Sequence, residues 1–397
     1  MKSAHGNSNV TELLARAQAL HHDLRFENVR AWKERNGGLA VGYLPVYVPR
    51  ELLWAMNVLP VGVVGGGDQV EIIRGDAYYQ SYICHLPRST IELGLNGALD
   101  VLDGVLFPAT CDVIRNLSGM WMMQFPDKYV HYLDVPQDFD TGVGGAFYRH
   151  ELLEIAGALE ARGARPLTDA ALRAAIAAYD ANRREIEALY ELRRREPWKV
   201  PTHELYLVLK AGLVLPVDEH TMMLEDYRRL VIRDDARRPL DQARMLITGS
   251  FCEQPPIGLI KTLERAGCYI VDDDLVAVHR WIRGDVASLA PGQPPLDALV
   301  EAFLRNGVPS AIRYIDQDKK GRDLVERVRA SGAEGVVFCA ASFCDPALLD
   351  QPMLVGALDA AGIPWTSFKY AENTGQFQVI REQAGTFADS IKLWSGA

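Results

Sequence analysis

Two short apolar runs in this chain each end in a turn that carries a cysteine followed by an aspartate. The run 336–339 predicts a buried strand, and the small-residue turn after it carries Cys344. The run 104–107 has the same pattern, with Cys111 in its turn. Because ligands of α/β sheets bind at the carboxyl ends of the strands, the sequence indicates a thiol at such an edge in each half of the chain.

Similar apolar runs alternate with helical patterns on both sides of a long helical region. Predicted strands fall at 39–44, 60–64, 104–107 and 129–133, and again at 244–250, 269–271, 335–339 and 364–368. Strands that alternate with helices predict parallel sheets covered on both faces. We therefore expect an α/β protein with two doubly wound parallel-sheet domains, flavodoxin- or Rossmann-like. The first, with N-terminal helices at 11–34, spans residues 1–150, the second spans 241–397, and a helical connector at 151–240 joins them.

Two runs of like charge lie in or after the connector. Apolar residues near helical spacing predict a long helix from Thr168 to the arginine run 193–195. We interpret that run as a solvated helix end, favoured by the helix dipole, and residues 272–274 as an acidic turn. The apolar positions of 168–196 and of the N-terminal helices exceed what one thin connector needs to bury, which favours contact with a homologous partner subunit there.

Composition excludes several classes of function. The chain has 397 residues and a formal net charge of −10, and no basic stripe predicts a nucleic-acid surface. No segment approaches the roughly 18 apolar residues of a membrane span, and the N-terminus lacks the apolar core of a signal peptide. We therefore expect a cytoplasmic protein whose six cysteines stay reduced, as core residues or metal ligands.

The six cysteines do not carry equal weight as candidate ligands. Cys339 lies within a strand run and Cys268 between a helix and a strand, so we assign both to packing. Cys252 follows a small-residue turn, and its role stays open. Cys111 and Cys344 lie in turns beside carboxylates, where apolar packing gives no obvious reason for them. Without any Cys-x-x-Cys, spacing alone is a weak metal signal.

A third thiol, Cys84, lies between a predicted loop and a helix, and three such thiols suit an iron–sulfur cluster with one iron left open. His85 beside it is a candidate proton donor, although a hydrogen-bonded structural histidine is the simpler interpretation. No Gly-x-Gly-x-x-Gly fingerprint, Walker lysine motif or Gly-x-Ser-x-Gly elbow is present. The sequence therefore predicts neither dinucleotide binding nor ATP hydrolysis by this chain.

Five segments in this order resemble the 2-hydroxyacyl-CoA dehydratase D-component and benzoyl-CoA reductase family. They are GYLPVYVPRE at 42–51, SYIC at 81–84, PATCD at 108–112, VDDDL at 271–275 and FCDP at 343–346. The likeness runs from Glu27 to the C-terminus and is strongest to the smaller catalytic subunits of the reductase branch. It implies a two-domain α/β subunit, paired with a homologous catalytic subunit, in which Cys84, Cys111 and Cys344 bind a [4Fe–4S] cluster.

The resemblance also implies an activity and partners. The expected reaction is ATP-dependent reduction of the aromatic ring of benzoyl-CoA to cyclohexa-1,5-diene-1-carbonyl-CoA. Low-potential electrons would come from ferredoxin through two ATPase, electron-activating subunits. Two alternatives stay open at this point: a 2-hydroxyacyl-CoA dehydratase subunit, a lyase acting through a ketyl radical, and a non-catalytic electron-relay or scaffold subunit.

Overall fold

The computed structural model describes residues 9–394 except 45, 253, 290–291, 314–316 and 372–376. Its strands form two four-stranded parallel sheets, which confirms the predicted α/β class. The first sheet contains β1 (Leu39–Tyr43), β2 (Val58–Gly62), β3 (Gly104–Pro108) and β4 (Tyr129–Leu133). The second contains β5 (Ala243–Thr248), β6 (Cys268–Asp273), β7 (Gly335–Ala341) and β8 (Trp365–Tyr370).

Both sheets have the same winding. The strand order is β2-β1-β3-β4 in the first and β6-β5-β7-β8 in the second. Val41 pairs with Gly104 across β1 and β3, and Met245 pairs with Gly335 across β5 and β7. Strands β3 and β7 are thus the third strand of their sheets, so the cysteines that follow them occupy equivalent places.

Helices cover both sheets and fill the region between them. The first part of the chain has α1 (Val10–His22), α2 (Glu27–Asn36), α3 (Arg50–Ala55), α4 (His85–Leu95) and α5 (Asp112–Gln124). The middle has α6 (Gly144–Glu160), α7 (Asp169–Arg195), α8 (Thr202–Ala211) and α9 (Val217–Arg233). The last part has α10 (Ile257–Arg265), α11 (Val286–Leu289), α12 (Pro295–Asn306), α13 (Gln317–Ser331), α14 (Asp345–Ala360) and α15 (Gln378–Trp394). None of the helices in the described ranges has the length and apolar character needed to cross a membrane.

The N-terminal helical stretch predicted at 11–34 forms two helices, α1 and α2, separated by residues 23–26. Phe26 has a left-handed φ of 54°, which a helix interior does not accept. The Asp23 carboxylate accepts hydrogen bonds from the backbone N–H groups of Arg25 and Glu27. Because aspartate can bond the nearby backbone in this way, it competes with the helix and ends α1.

The long helix α7 is a central element of the core, and contact of this region with a partner subunit stays a prediction. Its apolar side chains, including Leu172, Ile186 and Leu189, are buried within the chain. Helices α3 and α9 pack against α7, and one continuous apolar cluster includes residues of both sheets and of the connector. The apolar positions of α7 are therefore used inside the chain.

A buried polar network joins α3 of the first domain to α7 and to the loop after β6. Arg50 donates to His279 Nδ1 at 2.7 Å and to the Val278 carbonyl at 3.1 Å. Glu51 accepts from Arg183 of α7 at 2.6 Å, with both side chains buried. Since separating a buried ion pair is costly, these contacts fix the position of the first domain against α7 and the second domain.

Two buried histidines beside this network predict an acid-sensitive fold. The rings of His220 and His279 lie 5.2 Å apart and each faces a backbone carbonyl through Nε2, at Val208 and Leu209. Burial lowers the pKa of His220 to about 3 and that of His279 well below its ordinary value of 6.5, and the nearby Arg50 adds to both shifts.

The unfolded chain takes up protons on these rings below about pH 6.5, whereas the folded chain does not. The contribution of these two histidines to the free energy of unfolding is therefore fully present above about pH 6.5. It is lost as the pH falls toward the lowered pKa of His220, about 3. We expect the free energy of unfolding to drop by about 2 kcal/mol per histidine between about pH 7 and 5. Urea denaturation at several pH values measures this, and a His220→Gln variant with an unchanged slope would contradict it.

Candidate functional site

The three cysteines singled out from the sequence share one structural position. Cys84, Cys111 and Cys344 are the N-cap residues of α4, α5 and α14, respectively. Unpaired backbone N–H groups and the helix dipole give such positions a partial positive charge. This charge favours a thiolate, although at Cys111 burial outweighs it and raises the pKa of the thiol. The chain therefore offers three sulfur donors at the starts of helices.

The loop before Cys84 is held against α4 by a single buried carboxylate. Glu92 accepts hydrogen bonds from the backbone N–H groups of Ile73, Arg74 and Gly75 at 3.0, 2.6 and 2.8 Å. Bonds to a charged acceptor are stronger than those between neutral groups. Glu92 therefore fixes the loop that delivers Cys84 to the start of its helix.

Cys344 is delivered by a strained turn after β7. Phe343 adopts a left-handed φ of 65° and is half exposed. The Cys344 N–H donates to the Ala341 carbonyl at 3.1 Å, which closes the turn. A non-glycine residue in this conformation costs on the order of 1–3 kcal/mol, and such strain concentrates at functional sites. Cys344 itself is buried in the apolar core, contrary to the expectation that packing gives it no place.

Electrostatic contacts link the first two cysteines and reach the third segment. Burial, and after it the neighbouring Cys84 and Cys111 thiols, raise the pKa of the Tyr79 hydroxyl, so both thiols lie near this ring. Burial raises the pKa of Cys111, hydrogen bonds from the Ile114 and Val113 backbone oppose this, and Asp345 acts on the same thiol. The segment at the start of α14 thus lies within electrostatic range of Cys111.

The donor set fits an iron–sulfur cluster in its chemistry. All six cysteines are unlinked thiols. Across the described ranges, however, no three His, Cys, Asp or Glu side chains stand close enough together to hold a metal ion.

The remaining candidates lie away from these N-caps or inside the packing. Cys268 and Cys339 are buried in strands, and burial raises the pKa of each thiol to about 12, in agreement with their assignment to packing. Cys252 is also buried in the apolar core. His85 is the first residue of α4 and is buried, and its role as proton donor stays a prediction.

A cavity of about 490 Å³ lies in the second domain, at the carboxyl ends of β5 and β6. Residues of α7, α13 and α14 complete its walls. At its floor, Asp274 accepts hydrogen bonds from the Thr248 hydroxyl at 2.9 Å and from the backbone N–H of Gly249, which has φ +98°, at 2.7 Å. This volume is in the range of small-molecule sites, and its place agrees with the rule for α/β sheets.

Part of each charged run is paired in the interior: Arg193 of the run interpreted as solvated, and Asp272 and Asp273 of the run interpreted as an acidic turn. Arg193 is fully buried and donates to Asp273 at 2.6 Å. Asp272 binds Arg280 at 2.9 Å and Arg327 at 3.3 Å. Burial opposes ionisation of Asp272, but Arg327 and Arg280 outweigh it and hold its pKa below the usual range.

Sequence reasoning missed this network because each run was interpreted alone. Asp272 and Asp273 end β6 and Asp274 follows it, where the sequence was interpreted as an acidic turn. The available signal was the presence in one chain of a run of three arginines and a run of three aspartates. Their opposite charges are consistent with contact in the fold, although no spacing rule joins positions that lie so far apart in the sequence.

Comparisons with known proteins are consistent with this geometry. The family model described as "2-hydroxyglutaryl-CoA dehydratase, D-component" matches residues 45–391. The chain is 53% identical over 389 residues to a benzoyl-CoA reductase subunit of Thauera aromatica, covering 98% of this chain and 100% of that protein. It is 27% identical to the (R)-phenyllactyl-CoA dehydratase beta subunit of Clostridium sporogenes, over 90% of this chain and 93% of that one. It is 29% identical to the (R)-2-hydroxyglutaryl-CoA dehydratase beta subunit of Acidaminococcus fermentans, over 89% of this chain and 93% of that one.

Proposed function

The chain belongs to the 2-hydroxyglutaryl-CoA dehydratase D-component family, and we propose that it is an iron–sulfur subunit of an ATP-dependent benzoyl-CoA reductase. The observation that carries this is the 53% identity along the whole length of a reductase subunit, against 27% and 29% for two dehydratase subunits. The reaction would convert benzoyl-CoA to cyclohexa-1,5-diene-1-carbonyl-CoA. The complex would include a homologous catalytic subunit and two ATPase subunits that pass on electrons from ferredoxin.

Cys84, Cys111 and Cys344 would hold a [4Fe–4S] cluster, whose chemistry when bound is electron transfer at potentials as low as about −700 mV. The chain's own contribution is electrostatic and structural. The three cysteines begin three helices, whose dipoles favour negative charge, and Cys111 and Cys344 follow equivalent strands of two rigid sheets. The apolar core around Cys344 excludes water from that side of the site.

The proposal predicts a defined ATP requirement. The complex, purified without oxygen and given benzoyl-CoA and a low-potential donor, should consume ATP in a fixed ratio to each ring reduced. Product analysis together with phosphate release measures both quantities. Ring reduction without ATP, or none in its presence, would contradict the proposal.

Dehydration of a 2-hydroxyacyl-CoA is the second candidate, because the family model and two relatives carry dehydratase names. A dehydratase recycles its electron, so ATP would be needed only in catalytic amount. Turnover of a 2-hydroxyacyl-CoA with far less than one ATP per product would favour it. A relay or scaffold subunit would instead leave substrate binding by the complex unchanged when this chain is altered.

A further inference from the structure

We propose that the cavity in the second domain binds the CoA thioester, with Arg184 and Arg283 at its mouth holding phosphates and the acyl end directed inward. The inference rests on the proposed function and adds a location and an orientation for the substrate. The cavity volume of about 490 Å³ suits the acyl and pantetheine portion of such a ligand, with the nucleotide portion outside.

Most charged side chains of the inner wall already have partners, and the Asp274 carboxyl at the floor accepts hydrogen bonds from Thr248 and Gly249. Asp272 is paired with Arg280 and Arg327, and Lys320 is paired with Asp350 at 3.0 Å. Apolar side chains supply much of the remaining lining: Phe251, Leu275, Ile282, Leu324, Phe338 and Leu354. A lining of paired charges and apolar groups suits an uncharged ligand body with an apolar end and excludes a polyanion.

The mouth of the cavity differs from the inner wall, because its arginine side chains are exposed to solvent. The Arg184 side chain is 58% exposed and pairs with Asp285 at 2.6 Å. Arg283 is 50% exposed and pairs with Asp323 at 2.7 Å. Their carboxylate partners are less exposed, at 25% for Asp285 and 12% for Asp323, so each arginine is anchored by its partner and can present its remaining N–H donors to a phosphate. A ligand with a polyanionic head and an apolar tail matches this division.

The lining also gives the direction of the tail. From the exposed arginines it extends to the buried Phe338 of β7 and Ala347 of α14. Ala347 lies in the first turn of α14, whose N-cap is Cys344. The buried end of the lining therefore lies on α14, the helix that Cys344 begins, while Cys344 itself is not a lining residue.

The test measures equilibrium binding of benzoyl-CoA and of free CoA to the complex purified without oxygen. Arg184→Ala and Arg283→Ala should each weaken binding of both ligands about tenfold, because each removes a charge-assisted bond to phosphate. Ala311→Phe, which narrows the cavity, should weaken binding of benzoyl-CoA by a similar factor and leave binding of free CoA nearly unchanged. Arg229→Ala is the matched control, since Arg229 is 49% exposed and paired on the surface of α9.

The outcomes separate this inference from the proposed function. If benzoyl-CoA binds and both mouth variants behave like the Arg229→Ala control, the site lies elsewhere and only this inference is overturned. If the wild-type complex binds no benzoyl-CoA, the proposed function fails and the inference falls with it. The two mouth positions are exposed, so loss of folding does not confuse the result.

Discussion

Serine in place of Cys84, Cys111 or Cys344 is expected to remove iron and turnover together. Ligands of one cluster act as a set, and a serine hydroxyl does not form the anionic sulfur donor that iron requires. We expect iron to fall from about four per chain to a small fraction, and turnover to fall more than about 100-fold. Metal analysis and electron paramagnetic resonance of protein purified without oxygen measure the first effect independently of activity.

Cys339→Ser is the control for these variants. Its sulfur lies inside β7, five residues before Cys344, and 1% of the residue is exposed. The substitution buries a hydroxyl in a packed strand and should cost about 1–3 kcal/mol of stability while leaving the iron content unchanged. If Cys339→Ser loses the cluster and Cys344→Ser keeps it, the choice between these neighbouring thiols is wrong.

Most strands were predictable because they are short, apolar and bounded by turns, whereas β8 also carries Thr366, Ser367 and the exposed Lys369. In a parallel sheet both faces are covered, so a strand such as β7 is buried at all seven positions and appears in the sequence as an unbroken apolar run. The places of Cys111 and Cys344 follow from that pattern, because each comes after such a run. Both cysteines lie a few residues after a strand and directly before a helix, so their place at the carboxyl ends of the strands could be predicted from the local sequence.

The cavity and its charges could not be predicted in the same way. Its walls come from α7, the loop after β6, α13 and α14, which are far apart in sequence and meet only through tertiary packing. Charge runs are usually solvated, and nothing local distinguishes Arg193, which is buried, from Arg195, which is exposed. Similarly, nothing about Phe26 in the sequence marks a break between helices; its left-handed backbone conformation, just before α2, is seen only in the structure.

Arg193→Met should be among the most destabilising single changes in the helical connector. Arg193 is fully buried, donates to Asp273 at 2.6 Å and to the Thr202 hydroxyl at 3.2 Å, and lies over the Tyr190 ring at 4.3 Å. Methionine keeps most of the volume but leaves Asp273 without its cationic partner. Breaking a buried pair from one side costs about 3–5 kcal/mol, and urea denaturation should show a loss of that size.

Arg195→Met provides the matched control, because the same substitution is made on an exposed residue two positions later in α7. It should change the free energy of unfolding by no more than about 0.5 kcal/mol. Adding Asp273→Asn to Arg193→Met should restore part of the loss, because the unpaired buried charge is then removed and the two effects are coupled. Equal stability of the Arg193→Met and Arg195→Met variants would show that this pair does not hold α7 against β6.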